Sequence, residues 1–321
     1  MTERVALVTG AGGFIGRWSV PCLIAEGYQV HAVVGRTAGR EVPVQLRGAQ
    51  LHTADLLDAA SAGALMMSVR PSHWLHFAWT AAPGVYWTSP ENYRWAAAGG
   101  QLLQSFHAAG GMRAVMAGSC AEYDWSRADV CDERTTPLAD AARGAITPYA
   151  QCKLAMQATL ARFGSAQRIS TAWGRIFFAY GPNEHPDRLV ASVIIHLLAG
   201  RDAPCTHGRQ IRSFLHVADV GAAFAALLGS AVEGPVNIGC GEHVSIAQLL
   251  EEIERQIGGP GRVRLGARDA APSEPPMLVA GVGRLCREVG WRARFGLPEG
   301  IADTIAWWRA NPPSAADPAA G

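Results

Sequence analysis

The stretch "VALVTGAGGFIG", from Val5 to Gly16, decides the fold of this chain. A short apolar run of strand length reaches Gly10, and Gly13 and Gly16 follow at three-residue spacing before a helical stretch over residues 14–26. Glycines permit a tight turn, and the N-terminus of the following helix offers N–H groups and a partial positive charge to a pyrophosphate. We therefore expect a dinucleotide to contact Gly10, Gly13, Phe14, Ile15 and Gly16. The alternative is an ordinary strand-to-helix turn, because the spacing is not G-x-G-x-x-G.

Short apolar runs alternate with longer helical stretches through the first half of the chain. Parallel strands need long crossovers, so this rhythm predicts an α/β fold with a Rossmann-type doubly wound parallel sheet. After "TAWGRIFFAYGP" the rhythm becomes irregular, which predicts a smaller α+β C-terminal substrate lobe. The expected division is an NAD(P)-binding domain over 1–175, with 214–236 packing back onto it. A mainly substrate-binding lobe over 176–311 and a flexible Pro/Ala-rich tail over 312–321 complete it.

Composition excludes several classes of function. The 321 residues carry a formal net charge of +1 without a dense basic run, so we expect no nucleic-acid partner. The apolar run near the first residue is too short for a signal peptide or a membrane span, which predicts no membrane partner and a cytoplasmic location. Seven cysteines without a Cys-x-x-Cys pair and ten histidines without His-x-x-x-His spacing predict free thiols and no metal.

The end of the second predicted strand should inspect the adenosine ribose of the cofactor. An acid there would bind the 2′-hydroxyl of NAD, but "VHAVVGRTAGR" offers Arg36, with Arg40 nearby, and no acid. An arginine can pair with a 2′-phosphate, so the sequence favours NADP(H), with NAD(H) as a possible cofactor. A solvated loop charge is the alternative for Arg36. Asp55 and Leu56, in "ADLLD", follow the next strand and could flank an adenine.

A tyrosine and a lysine stand four residues apart in "TPYAQCK". Tyr149 and Lys153 lie on one face of a predicted helix, separated by a rise of about 6 Å. A neighbouring ammonium can lower the pKa of a phenol from about 10 toward the range useful for proton transfer. In isolation such a pair would more often be a core tyrosine beside an extended lysine, but the glycine loop upstream favours catalysis.

The chain resembles the extended short-chain dehydrogenase/reductase family, which includes nucleotide-sugar epimerases, dehydratases and ketoreductases. The resemblance rests on collinear motifs: "TGAGGFIG", "ADLLD", "HFAW", "GSCAEY", "YAQCK", "RIFFAYGP", "GRQIRSFLHVADV" and "NIGCGEHVSI". It implies a catalytic set of Ser119, Tyr149 and Lys153, with Tyr149 and Lys153 also contacting the cofactor beside Phe77 and Ala78. It also implies a homodimer formed through helices over 92–109 and 148–163.

Within this family, 4,6-dehydratases place an Asp-Glu pair after the catalytic Ser or Thr, and here Cys120 and Ala121 hold those places. The resemblance therefore disfavours dehydration, and Glu122 comes one place too late. Phe178 replaces an Asn that touches the substrate in many epimerases. The expected reaction is reduction of a keto group, at C4, of a nucleotide-diphosphate sugar.

In that reaction Tyr149 would donate the proton, Ser119 would hold the carbonyl oxygen, and Lys153 would bind the nicotinamide ribose and lower the pKa of Tyr149. For the substrate diphosphate the resemblance indicates Arg212, with Arg188 and Arg268 as weaker candidates. Cys120, Glu122 and Phe178 are further candidate substrate contacts, and Glu122 could instead be a structural partner of a neighbouring loop.

Three other functions stay open at this point. One is a nucleotide-sugar epimerase that retains NAD. The second, from another class, is a non-catalytic dinucleotide-sensing regulatory protein, and the third is a ketoreductase for a carbonyl that belongs to no sugar.

Overall fold

The computed structural model describes residues 4–35, 42–127, 129–142, 144, 146–271 and 274–313. Arg36, Arg40 and positions 314–321 of the predicted tail lie outside the described residues. The strands in chain order are β1 (Val5–Thr9), β2 (Gln29–Val34), β3 (Gln50–Thr53), β4 (His73–His76), β5 (Arg113–Ser119), β6 (Val130–Cys131), β7 (Ser170–Ile176), β8 (Phe178–Tyr180), β9 (Ala203–Pro204), β10 (Ile211–Arg212), β11 (Phe214–His216), β12 (Gly234–Ile238), β13 (Val244–Ser245), β14 (Val263–Arg264) and β15 (Met277–Ala280). The α-helices are α1 (Gly16–Ala25), α2 (Ala59–Val69), α3 (Glu91–Ala108), α4 (Pro148–Gln167), α5 (Leu189–Leu198), α6 (Val217–Gly229), α7 (Ile246–Ile257), α8 (Gly283–Arg287) and α9 (Leu297–Ala310). Short 3₁₀ helices lie at Val44–Leu46 and Cys120–Glu122.

The main sheet has seven strands in the order β12-β7-β5-β4-β1-β2-β3, and neighbouring strands run parallel. Its strands are largely buried and rich in Val, Leu, Ile and Ala, as expected for a sheet covered by helices on both faces. The predicted Rossmann-type doubly wound sheet is confirmed. The order reverses between β1 and β4, and in such sheets ligands bind outside the carboxyl ends of the strands at that reversal.

Two apolar clusters cover the faces of this sheet. One contains residues of α1 and α6, and the other contains residues of α2, α3 and α4. Helix α1 continues through Pro21, which lies inside it. Strand β12 and helix α6, both late in the chain, thus belong to the packing of the large sheet.

The smaller part of the structure is an α+β lobe. It contains a four-stranded sheet in the order β13-β10-β15-β6 and two separate strand pairs, β8 with β11 and β9 with β14. Helices α5, α7 and α9 pack around a core that includes Ile194, Leu249 and Ile305. Strand β7 leads into β8 after a single residue, so the carboxyl edge of the large sheet faces segments of this lobe.

Candidate active site

The turn after β1 is shaped for close approach of a ligand. Gly10 has φ +77°, and a Cβ there would lie 2.7 Å from the backbone nitrogen of Ala78. A Cβ on Gly16 would lie 2.3 Å from the carbonyl oxygen of Gly10, so both positions require glycine. No side chain caps the N-terminus of α1 at Ile15, so the N–H groups of Gly16 and Arg17 stay available for an anion, whereas that of Trp18 is donated to the carbonyl oxygen of Ile15. These features fit the pyrophosphate of a dinucleotide.

Arg17 braces this turn from the first turn of α1. Its guanidinium donates to the carbonyl oxygens of Gly12 at 2.6 Å and Gly13 at 3.0 Å. A third bond, of 2.6 Å, reaches Oδ1 of Asn183 in the segment that follows β8. The glycine turn is therefore tied directly to a segment beside the smaller lobe.

A cavity of about 390 Å³ lies at the carboxyl ends of β1, β2 and β3. Asp55, Leu56 and Ala78 line it together with Gly10. Two indoles, Trp79 and Trp95, complete the wall and stack with ring centroids 6.5 Å apart. The geometry fits the adenosine end of a dinucleotide, since aromatic and apolar walls suit a flat base.

A larger cavity, of about 550 Å³, begins at the same glycine turn and extends over the ends of β5 and β7. Gly10 and Trp79 line both cavities, so the two adjoin. The larger cavity brings together the following residues proposed from the sequence: Gly10, Gly13, Phe14, Ile15, Gly16, Phe77, Ser119, Cys120, Tyr149, Lys153, Phe178, Arg188 and Arg212.

Ser119 and Tyr149 meet where β5 ends and α4 begins. Thr147 caps α4 by accepting the N–H of Ala150, and Pro148 occupies the first turn, so the helix begins just before Tyr149. The Ser119 hydroxyl oxygen accepts the N–H of Ala121 at 3.2 Å, and the hydroxyl group also lies within hydrogen-bond reach of Tyr149. Burial raises the pKa of Tyr149 well above its usual value, and a hydrogen bond with Ser119 opposes part of this rise.

Lys153 lies one turn behind Tyr149 and is only 5% exposed. Its ammonium donates to the carbonyl oxygen of Ala117 at 2.9 Å and lies 3.7 Å from the ring centroid of Trp79. Burial lowers the pKa of Lys153 to about 7, and the charge of Glu122 acts in the opposite direction. The ammonium is 5.8 Å from the Tyr149 ring centroid.

The expected lowering of the Tyr149 pKa by Lys153 is therefore corrected. Burial of the phenol dominates, and the ammonium is directed to Ala117 and Trp79. Without a ligand, Tyr149 is a protonated phenol at neutral pH.

An aromatic wall packs against the ring of Tyr149. The segment after β4 contributes Trp79, Tyr86 and Trp87, with ring centroids 6.5, 4.8 and 5.6 Å from that of Tyr149. Trp125 packs edge-on against Trp87 at 5.8 Å. Sequence reasoning missed these residues, although the density of aromatic residues in "WTAAPGVYW" was a usable signal. The wall suits the C–H faces of a compact organic substrate.

Residues 6–246 match the NAD dependent epimerase/dehydratase family. The chain belongs to this family. The UDP-glucose 4-epimerase of Bacillus subtilis strain 168 is 26% identical over 337 residues, which cover 95% of this chain and 97% of that protein. The structure of the Thermus thermophilus UDP-glucose 4-epimerase complex with NAD has a TM-score of 0.82 at 25% identity, covering 96% of this chain and 99% of that chain. MoeE5 in complex with UDP-glucuronic acid and NAD has a TM-score of 0.79 at 28% identity, with the same coverage.

Membership in the epimerase/dehydratase family confirms the resemblance to extended short-chain dehydrogenase/reductases. The chain is accordingly an enzyme, and NAD is the cofactor that the family description supports.

Glu122, a candidate substrate contact, lies outside both cavities and is fully buried. Its carboxylate accepts the N–H of Ser119 at 2.7 Å, both oxygens accept from the Trp173 indole at 3.0 Å, and Arg175 bonds to it at 2.8 Å. A carboxylate engaged in this way has no free lone pair directed at a substrate. The substrate-contact option for Glu122 is therefore corrected: it is a structural partner, of β7 rather than of a neighbouring loop.

Cys120 takes up one of the positions where 4,6-dehydratases of this family keep an acid. It lines the larger cavity, and burial raises the pKa of its thiol to about 12. Such a thiol stays neutral and is a poor nucleophile or base at neutral pH. Cys120 can contact a substrate but cannot replace the missing carboxylate.

The three arginine candidates separate clearly. Arg212 is 2% exposed, lines the larger cavity and forms an ion pair with Glu274 at 2.9 Å. Arg188 also lines the larger cavity, with its guanidinium 5.4 Å from the ring centroid of Tyr86. Arg268 is exposed and lines neither cavity. Its backbone N–H donates to the carbonyl oxygen of Cys205. The structure thus supports Arg188 and Arg212 as cavity cations and corrects Arg268.

Two further findings concern only the parts of the chain that the structure describes. Three or more metal-binding side chains are nowhere grouped in a way that could hold a metal ion. Among the described helices, none has the length and apolar character needed to span a bilayer.

Proposed function

We propose that this enzyme uses a reduced nicotinamide dinucleotide to reduce a keto group, at C4, of a nucleotide-diphosphate sugar. The observation that carries the proposal is the composition of the site around Ser119. Ser119 and Tyr149 line the cavity with Lys153 behind them, whereas the two positions after Ser119 are a neutral thiol and an alanine. Glu122, the next acid, is engaged by Arg175. The site can relay one proton but has no acid at the positions that elimination would use.

The chain's own residues would perform the proton transfer. The Ser119 hydroxyl donates a hydrogen bond to the substrate carbonyl oxygen, and Tyr149 then gives that oxygen its proton. When bound, a reduced dinucleotide would supply the hydride that converts the ketone to an alcohol, and it would be oxidised in turn. Solvent returns a proton to the tyrosinate. The raised pKa of Tyr149 keeps the phenol protonated at rest, which suits this direction of reaction.

The substrate class follows from the cations and from the relatives. Arg188 and Arg212 both line the cavity, and a fork-shaped guanidinium matches a phosphate. The similar proteins are named for UDP-glucose and UDP-glucuronic acid. A nucleoside diphosphate bound by these two arginines would leave the sugar beside Ser119 and the aromatic wall.

NADPH is the reductant we propose, on the basis of Arg36 and the absence of an acid at the end of β2. The relatives with a bound cofactor carry NAD, so NADH is the competing choice. A thermal-shift comparison distinguishes them, because a ligand that binds the folded state stabilises it by mass action. Stabilisation by NAD without stabilisation by NADP would overturn the argument from Arg36.

The second candidate is a nucleotide-sugar 4-epimerase that retains NAD. Similarity over nearly the full length to UDP-glucose 4-epimerases favours it. It would require Tyr149 to begin as a base, which the raised pKa of its phenol opposes in the absence of oxidised cofactor. Phe178 also lines the cavity where many epimerases carry an Asn.

One experiment separates the candidates. The purified protein is incubated with NADPH or NADH and a UDP- or dTDP-linked 4-keto-6-deoxyhexose, and in parallel with UDP-glucose alone. A reductase consumes one reduced cofactor per alcohol formed and leaves UDP-glucose unchanged, whereas an epimerase produces UDP-galactose without added cofactor. Tyr149→Phe should abolish turnover while nucleotide binding stays intact. If that variant has wild-type biological activity, the protein is a dinucleotide sensor.

We further propose the division of labour expected from the sequence, with residues 1–175 and 214–236 binding the cofactor and 176–311 mainly binding substrate. For the homodimer we propose contact through α3 and α4, where the large side chain of Tyr93 is 52% exposed. Sedimentation of the wild-type protein and Tyr93→Glu would test this, with dissociation expected for the variant. The seven free cysteines support a reducing, cytoplasmic location.

A further inference from the structure

Glu184 is a buried carboxyl group that the proposed reaction does not use. It lies in the segment between β8 and α5, is 6% exposed and lines the larger cavity. One carboxyl oxygen accepts the N–H of Ala191 in the first turn of α5. The other oxygen, Oε2, has no hydrogen-bond partner among the described residues. Glu184 thus caps a helix with half of its carboxyl group and leaves the other half unpaired.

This arrangement is costly without a ligand. An unpaired buried polar group forfeits the hydrogen bonds that it makes to water in the unfolded chain, and a charged one forfeits more. Arg188 is near enough to favour the charged form, yet no cation of the described chain lies within ion-pair distance of Glu184. Burial outweighs Arg188 and raises the pKa of Glu184 to about 8. Glutamine would cap α5 equally well without carrying a charge.

The other polar groups of the cavity already have partners or roles. Ser119 and Tyr149 address the reacting carbonyl, and Arg188 and Arg212 suit phosphate oxygens. The remaining lining is largely apolar apart from Lys153, His185 and Glu274, and both carboxylate oxygens of Glu274 already accept hydrogen bonds, from Arg212 and Gln210. A hexose carries several hydroxyl groups that need acceptors when water is removed, and Glu184 offers an unpaired one at the cavity.

We propose that Glu184 is a specificity-determining residue that hydrogen-bonds a hydroxyl group of the substrate hexose and disfavours sugars that carry a carboxylate at that place. The inference rests on the proposed function, because it assumes that a nucleotide-diphosphate sugar occupies the cavity. Because the pKa of Glu184 is about 8, its carboxyl group is an anion only at alkaline pH. A second anion beside it in a low-dielectric cavity would then be repelled, whereas a hydroxyl can pair with either protonation state of the carboxyl group. The enzyme should therefore select neutral hexoses over uronic acids at alkaline pH.

The test measures binding by calorimetry at about pH 9, where Glu184 is ionised, with NAD present and with UDP, dTDP, UDP-glucose and UDP-glucuronic acid as probes. Wild-type protein should bind UDP-glucose at least tenfold more tightly than UDP-glucuronic acid. Glu184→Gln keeps an acceptor for Ala191 and replaces the other oxygen by a donor, so it should reduce that preference by tenfold or more while the affinity for UDP is unchanged. The matched control is Asp187→Asn in the same segment, where the exposed carboxylate pairs with His185 at 3.7 Å, and it should keep the wild-type preference.

Two failures are distinguishable. If neither UDP nor dTDP binds the wild-type protein, the proposed function falls and this inference falls with it. If UDP binds normally and Glu184→Gln leaves the preference within twofold of wild type, only the role of Glu184 is overturned. The same holds if Asp187→Asn changes the preference as much as Glu184→Gln. Unfolding measurements on each variant confirm that the helix cap survives.

Discussion

Replacement of Glu122 by alanine should destabilise the protein more than the loss of any surface ion pair. The Glu122 carboxylate is fully buried and receives hydrogen bonds from Ser119, Trp173 and Arg175. The Arg175 side chain is itself only 1% exposed and already has one unpaired nitrogen, Nη1. Truncation of Glu122 leaves this guanidinium charged, buried and without its counter-ion.

The magnitude follows from that uncompensated charge. Removing one partner of a buried ion pair costs about 3–5 kcal/mol, and for a chain of this length the melting temperature should fall by about 5–8 °C. Replacing both partners by apolar residues, Glu122→Leu with Arg175→Met, should recover part of the loss, because no buried charge is then left unpaired. Recovery stays partial, since the N–H groups of Ser119 and Trp173 still lose an acceptor.

Urea unfolding followed by circular dichroism measures these free energies. The matched control is Glu252→Ala, which removes a carboxylate paired with an exposed Arg255 on one face of α7 and should cost no more than about 1 kcal/mol. Equal losses for Glu122→Ala and Glu252→Ala would refute the reasoning, as would a double variant less stable than Glu122→Ala. A further expectation concerns cofactor binding rather than stability. The negative charge of Glu122 raises the pKa of Lys153, so Glu122→Gln should lower that pKa and move any pH-dependent loss of cofactor binding to lower pH.

Three other predictions address the cofactor turn, the lysine and the cavity carboxyl. Gly10→Ala should cost about 1–3 kcal/mol and abolish dinucleotide binding, because φ is +77° and the Cβ would meet Ala78. The control Gly63→Ala lies inside α2, where a Cβ would make only an ordinary contact of 3.7 Å with Ser105 Oγ, and it should instead stabilise by about 0.5–1 kcal/mol in the same unfolding assay. Without a ligand the pKa of Lys153 is about 7, so its amine is mostly neutral at pH 8 and mostly protonated at pH 6. If NAD binds the protonated form, binding should take up close to one proton at pH 8 and almost none at pH 6. Calorimetry in buffers of different ionisation enthalpy measures this uptake, and equal uptake at both pH values would contradict the prediction. The pKa of Glu184 rises from 4.5 in the unfolded chain to about 8 in the folded protein, so its contribution to stability is fully present below pH 4.5 and is lost as pH rises to about 8. The free energy of unfolding should fall over that window by up to about 1.4 kcal/mol per pH unit. Glu184→Gln should flatten this profile, and parallel profiles for the variant and the wild type would exclude such a contribution.

Local sequence patterns anticipated much of the fold and the centre of the site. The glycine turn and the Tyr149–Lys153 pair depend on neighbours within one turn or one helix, where spacing translates directly into geometry. The parallel sheet also followed from the alternation of strands and helices. The place of Ser119 came from the order of motifs along the chain, because a serine after an apolar strand has no local signature of its own.

The contacts that escaped prediction join residues far apart in the chain. Glu122 meets Arg175 because β5 and β7 are neighbours with Gly118 opposite Arg175, a register that emerges only from the assembled sheet. Arg17 reaches Asn183 across 166 positions. The expected effect of Lys153 on the pKa of Tyr149 failed for a related reason, since helical spacing brings the two close but says nothing of how deeply the phenol is buried.

Trp79 shows how the two halves of the site depend on each other. It lines the cavity suited to adenosine and the cavity suited to the substrate, while its ring covers the ammonium of Lys153 at 3.7 Å. One of the three ammonium N–H groups is donated to the carbonyl oxygen of Ala117, and the indole covers one face of the ammonium. If Lys153 binds the nicotinamide ribose, as the family resemblance implies, a ribose hydroxyl would either share the ammonium with Trp79 or displace the indole. Displacement would also alter the edge-on packing of Trp79 against Tyr149, and with it the aromatic wall beside the substrate.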